Sequence, residues 1–117
     1  MKAYRVLIAD DEPLARARLR VLLRGATDFA VVAEAGNGLE AVEALGTTDV
    51  DVAFLDVQMP LLDGFEVLDS AGVQDLHVVF VTAYEEHAVR AFDASAVDYL
   101  VKPFRNDRFH ACLQKIR

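Results

Sequence analysis

Five short apolar runs, each followed by a polar break and a helical pattern, constrain this chain more than any other feature. They cover residues 4–9, 29–33, 52–55 and 78–81, with a short fifth around 97–101. The runs are continuous rather than alternating, and they are rich in Val, Ile, Leu and Phe. A strand covered on one face alternates apolar and polar residues, whereas a strand buried on both faces does not. The pattern therefore predicts a parallel sheet with helices on both sides.

Helical spacing fills the intervals. Pro13 suits a first helical position, and Leu14, Ala15, Leu19, Leu22 and Leu23 recur with helical period up to Gly25. Gly36-Asn37-Gly38 punctuates a turn, and Leu39, Val42, Ala44 and Leu45 follow before Gly46. A third helix starts near Asp63 or Gly64 and ends before Gly72, and a fourth runs over about residues 85–93. A fifth starts near Asn106, a residue that suits an N-cap, and continues to the end. Strands alternating with helices predict an α/β doubly wound sheet with right-handed crossovers. The 117 residues contain no internal repeat or low-complexity linker, so the expectation is one domain spanning 1–117.

Apolar residues make up 54% of the chain, enough for a core that needs no staple. A single cysteine, Cys112, leaves no internal disulfide to form and suits a reducing compartment. No apolar run reaches the length of a membrane span, and no start pattern reads as a signal peptide. The expected location is cytoplasmic, with no membrane partner. A net charge of -7 argues against direct binding to nucleic acid and suits a cation or a basic partner.

The chemistry is expected where polar residues end the strands. The first run stops at Asp10-Asp11, the third at Asp56, the fourth at Thr82 and the fifth at Lys102-Pro103. In an open parallel sheet these carboxyl ends share one edge, where ligands bind. Three carboxylates brought together repel, so either some stay protonated or a divalent cation neutralises them. Magnesium suits hard oxygen ligands, while the absence of His and Cys at these positions disfavours zinc. With a phosphoryl donor, Asp56 can attack phosphorus and become an acyl phosphate. Asp10 and Asp11 would hold the metal, and the metal and Lys102 would neutralise the transferring group. Thr82 could donate its hydroxyl to a phosphoryl oxygen.

The motifs that carry these residues are Asp10-Asp11-Glu12-Pro13, Leu55-Asp56-Val57-Gln58-Met59-Pro60, the turn Asp63-Gly64, Val81-Thr82-Ala83-Tyr84 and Asp98-Tyr99-Leu100-Val101-Lys102-Pro103-Phe104. Over essentially its whole length the chain resembles the receiver domain of two-component response regulators. Around residues 11–23 and 56–68 it is similar to receivers that precede a LytTR-type (LytR/AlgR-like) DNA-binding domain. The resemblance implies a flavodoxin-like sheet of five parallel strands in the order 2-1-3-4-5, with five helices. It implies Mg2+ held by Asp10, Asp11, Asp56 and the backbone carbonyl of Gln58, with Ala83 offering its N–H to the phosphoryl group. Tyr99 matches a switch aromatic that turns inward as Thr82 moves, and the peptide before Pro103 is expected to be cis.

The implied function is a phospho-accepting switch, not an enzyme beyond its own phosphorylation and dephosphorylation. A sensor histidine kinase would be the donor. The output surface would be the fourth helix, fifth strand and fifth helix, which also offers a route to a homodimer. Transcription, and DNA itself, would be reached only through an output domain outside this chain. Two alternatives are an unphosphorylated interaction module and an aspartate-nucleophile phosphatase of the haloacid dehalogenase type. The second is weakened by Gln58, which stands where such enzymes place a second Asp. Arg16, Arg18, Arg20 and Arg24 on the first helix are expected to form a solvated face, the alternative being a docking surface for an acidic patch on a partner kinase. His77, His87 and His110 are expected outside the crevice, and Cys112 is expected in the core.

Overall fold

The computed structural model describes residues 2–72 and 75–117. Its strands are β1 (Tyr4–Ala9), β2 (Phe29–Ala35), β3 (Val52–Leu55), β4 (His77–Thr82) and β5 (Asp98–Val101). The helices are α1 (Pro13–Arg24), α2 (Gly38–Thr47), α3 (Gly64–Ala71), α4 (Ala88–Asp93) and α5 (Asn106–Ile116), with a 3-10 turn at Glu85–His87 before α4. All pairings are parallel and the order is β2-β1-β3-β4-β5.

Side chains of a strand point alternately to the two faces, so one apolar run serves two cores. Val6, Ile8, Val52, Phe54, Val79, Val81 and Leu100 face α1 and α5, where Leu19, Leu23, Phe109, Cys112 and Leu113 meet them. Leu7, Ala9, Ala53, Leu55, Val78 and Phe80 face the other way, onto Ala41, Leu45, Phe65, Val67 and Ala91. Every residue of β3 is buried, which is why its run is uninterrupted. Each fully buried Leu or Phe contributes about 1.5–3 kcal/mol relative to exposure. β2 lies at an edge and is only half covered, which explains its weaker apolar signature.

Local chemistry fixes the helix starts nearest the carboxyl edge. Asn37 caps α2 by accepting from Glu40 N–H at 2.9 Å. Asp63 and Glu66 form a reciprocal capping box on α3, with bonds of 2.8 and 3.0 Å. α5 differs from expectation. Arg105 occupies its N-cap without a side-chain bond, and Asn106 is the first helical residue. Its amide oxygen instead lies 3.4 Å from Arg18 Nη2, so a tertiary contact replaces the local cap. The fourth helical stretch is split between the 3-10 turn and the short α4, neither of which has a side-chain cap.

Candidate functional site

The strand ends are brought level by the pairing register. Ala9 pairs with Leu55, Leu55 with Phe80, and Thr82 with Val101. Backbone bonds extend the ladder one step further, from Asp56 N to Ala9 O at 2.9 Å and from Lys102 N to Thr82 O at 2.8 Å. Residues far apart in sequence therefore share one pocket. Asp10, Asp11 and Asp56 each present a carboxylate oxygen within 4.8 Å of the others. Lys102 Nζ lies 2.7 Å from Asp10, 3.2 Å from Asp56 and 3.3 Å from Glu12.

Asp10 is 1% and Asp56 6% exposed, whereas Asp11 opens to solvent. Burial pushes the Asp56 carboxyl above the ordinary aspartate value. Lys102 opposes that shift and the charge of Asp10 adds to it. Burial also works against the Lys102 ammonium, but its bonds to Asp10 and Asp56 outweigh this and hold it above its usual value. Carboxylates outnumber the single Lys102 ammonium in this partly exposed cluster of oxygen donors. That donor set fits a hard divalent cation such as magnesium, and it offers no nitrogen or sulfur ligand for a softer one.

The remaining predicted residues lie at the end of β4, in β5, or on the segments that follow β3, β4 and β5. Gln58 donates its backbone N–H to Asp56 Oδ1 at 3.2 Å, and its side chain is exposed. Thr82 is fully buried, and its hydroxyl oxygen accepts from Tyr84 N–H at 3.4 Å. Ala83 follows it at an exposed position. Tyr99 is half-buried beside Phe80 and donates its hydroxyl to the Tyr84 carbonyl. The Lys102-Pro103 peptide is cis.

His77 opens β4 at the opposite edge of the sheet, His87 lies in the 3-10 turn against Phe65, and His110 is on the exposed side of α5. Cys112 is buried on α5. The arginines of α1 depart from the expected solvated face. Arg16, Arg18 and Arg20 are half-buried and bonded, and only Arg24 is exposed.

Two features had no local sequence signal. Glu12 joins the Lys102 cluster through a side chain that is otherwise exposed. Gly64 packs so closely on the end of β3 that a Cβ there would lie 2.6 Å from the Asp56 carbonyl oxygen.

The family model for the response regulator receiver domain matches residues 6–114. The chain belongs to that family. Transcriptional regulatory protein BtsR of Salmonella typhi is 43% identical over 114 residues, which cover 97% of this receiver and 48% of BtsR. This receiver thus spans about half the length of the BtsR proteins it matches. The response regulatory domain of protein mrkE from Klebsiella pneumoniae superimposes with a TM-score of 0.88 at 36% identity, covering 96% of this chain and 93% of that one. Response regulator TrrA of Thermotoga maritima, solved in complex with Mg2+-BeF, gives a TM-score of 0.84 at 29% identity, covering both chains fully. As a receiver, the chain has the acidic pocket at the expected edge of a CheY-like fold.

Proposed function

We propose that this receiver is a phospho-accepting switch in which Asp56 takes a phosphoryl group from a sensor histidine kinase in a Mg2+-dependent reaction. The supporting observation is the convergence of Asp10, Asp11, Asp56 and Lys102 at 2.7–4.8 Å in one partly open pocket. An Asp56 carboxylate oxygen forms the new bond to phosphorus as the bond from phosphorus to the donor nitrogen breaks. The electron pair leaves with the donor imidazole. Asp10, Asp11, Asp56 and the Gln58 carbonyl are the residues that would hold Mg2+, which supplies neutralising charge to the phosphoryl oxygens when bound. The Lys102 bridge between Asp10 and Asp56 supports a role for its ammonium in neutralising the oxygens of the arriving phosphoryl group. Ala83 N–H and the Thr82 hydroxyl are the adjacent donors.

Thr82 and Tyr99 both make contacts to Tyr84, one to its N–H and one to its carbonyl. Turning the Thr82 hydroxyl toward a phosphoryl oxygen releases the first contact, and Tyr99 then moves inward from the second. The change reaches α4, β5 and α5, where Val89, Phe92 and Val101 are exposed and suited to a homodimer. A chain about half the length of the BtsR relatives leaves room for an output domain, which we assign to the LytTR-type DNA-binding class and to transcriptional control. The buried, unpaired Cys112 is compatible with work in the cytoplasm. No helix among the described residues is long and apolar enough to cross a membrane.

Incubation with acetyl phosphate and Mg2+ followed by intact mass tests the assignment. The expected result is one phosphate addition that is absent in Asp56→Asn and in EDTA. Persistent labelling of Asp56→Asn would refute it, as would no labelling by acetyl phosphate or any histidine kinase.

A further inference from the structure

The bonded arginines of α1 are not used by the switch as described. Arg20 meets Glu34 of β2 at 2.5 Å and touches no site residue directly. Arg16 and Arg18 each donate instead to a backbone carbonyl in a loop that carries site residues. Arg16 Nη1 bonds Asp10 O at 2.6 Å, and its Nε sits 3.4 Å from Glu34, which anchors the guanidinium to β2. The Asp10 N–H is held from the other side by Ala35 O at 3.0 Å. Arg18 Nη2 bonds Phe104 O at 2.5 Å, two residues past Lys102, and the guanidinium stacks 4.2 Å from the centre of the Phe104 ring. Between α1 and this loop lies a cavity of about 150 Å3 lined by Ala15, Leu19, Val81 and Pro103, among others. Phe104 is buried and stacks on Phe109, which holds one end of the loop, and the Arg18 bond adds a polar tie across the cavity.

We propose that Arg16 and Arg18 are positioning residues, a role that rests on the phosphoacceptor function of Asp56. Arg16 fixes the backbone at Asp10 and Asp11 and so sets cation affinity. Arg18 fixes the loop that bears Lys102 and so sets the rate of transfer. Groups that orient ligating carboxylates typically change metal affinity by about 10–100-fold when removed. Displacing a reacting group by ~1 Å can slow a reaction by up to about 100-fold.

The test uses the whole chain and two readouts: Mg2+ affinity from amide NMR titration without phosphodonor, and the acetyl phosphate transfer rate at saturating Mg2+. Arg16→Met should weaken Mg2+ binding on the order of tenfold, a larger effect than on the saturated rate. Arg18→Met should slow the saturated rate on the order of tenfold, a larger effect than on Mg2+ affinity. Arg24→Met, at the exposed end of α1, should change neither. Arg18→Lys keeps the charge but loses the planar fork. It should be slow like Arg18→Met, and it serves as the milder variant should Met impair folding. A wild-type rate in Arg18→Lys would show that charge rather than placement matters and would overturn the Arg18 role. The proposal also fails if wild type is labelled while both Met variants shift mainly the same quantity or neither shifts. If wild type takes no phosphate, the phosphoacceptor function and the Arg18 role fall together, and the cation titration still decides Arg16.

Discussion

Substituting the first residue of α3 should disturb the backbone at Asp56 directly. A Cβ on Gly64 would stand 2.6 Å from Asp56 O, 3.1 Å from Phe80 Cε1 and 3.3 Å from Val57 Cα. Ordinary contact begins at 3.4 Å, so the Asp56 carbonyl is about 0.8 Å too close. That neighbour is backbone of a buried strand end and cannot swing aside as a side-chain tip could. Overpacking of this kind costs about 1–3 kcal/mol. The helical preference of Ala over Gly returns at most ~1 kcal/mol, and less at a first helical position. Gly64→Ala should therefore lose about 1–2 kcal/mol in urea unfolding and ~4–8 °C in Tm. Gly46→Ala, in the last turn of α2, is the internal comparison. Nothing lies within 4 Å of a Cβ there, and the same substitution should gain about 0.4–1 kcal/mol. Acetyl phosphate labelling of folded Gly64→Ala should also be slower than wild type, because the Asp56 backbone has to move. Equal or greater stability of Gly64→Ala, with an unchanged labelling rate, would refute the close-approach account.

Other outcomes follow from buried charge. Burial raises the Asp56 carboxyl in the folded state, so its contribution to stability is present below the ordinary aspartate range and is lost as pH rises through the folded value. Asp56→Asn, measured in EDTA, should be more stable than wild type at pH 7, with the difference closing toward pH ~4; a destabilised Asn variant at pH 7 contradicts this. For Asp98, burial opposes the charged form, but the Arg108 fork at 2.6 and 2.8 Å and the Tyr99 N–H overcome it and hold the carboxyl below its usual value. Its contribution is present above the ordinary aspartate range and falls away on acidification. Asp98→Ala should cost about 1–3 kcal/mol at pH 7, less than the roughly 3–5 kcal/mol of a fully buried pair because Arg108 and Lys115 are half exposed. Urea unfolding at pH 7 and pH 4 checks both the size and the narrowing of that gap. Burial pushes the Cys112 thiol up to about 12, so a thiol reagent at pH 8 should modify it only in denaturant; rapid labelling of the native chain would place it at the surface.

Much of the molecule was legible in the residues. The five continuous runs specify strands buried on both faces, and the observed strands match them to within a few positions, β2 and β4 being longer. The strand order 2-1-3-4-5 was not written in the runs; it came from the likeness to receivers, and the sheet has it. Local signals worked where the interaction is local, as at Asn37 and at Asp63 with Glu66. They failed at Asn106, where a capping side chain turns to Arg18, and along α1, where three arginines read as solvated are bonded.

What the sequence determined by itself is that polar residues end buried strands, because periodicity and chain breaks are properties of neighbouring residues. Which carboxylates meet, which ammonium bridges them and which loops are tied to α1 were decided only in three dimensions. Those contacts join residues such as Asp10 and Lys102, 92 positions apart, and their distances depend on strand register and crossover packing rather than on any short stretch of chain.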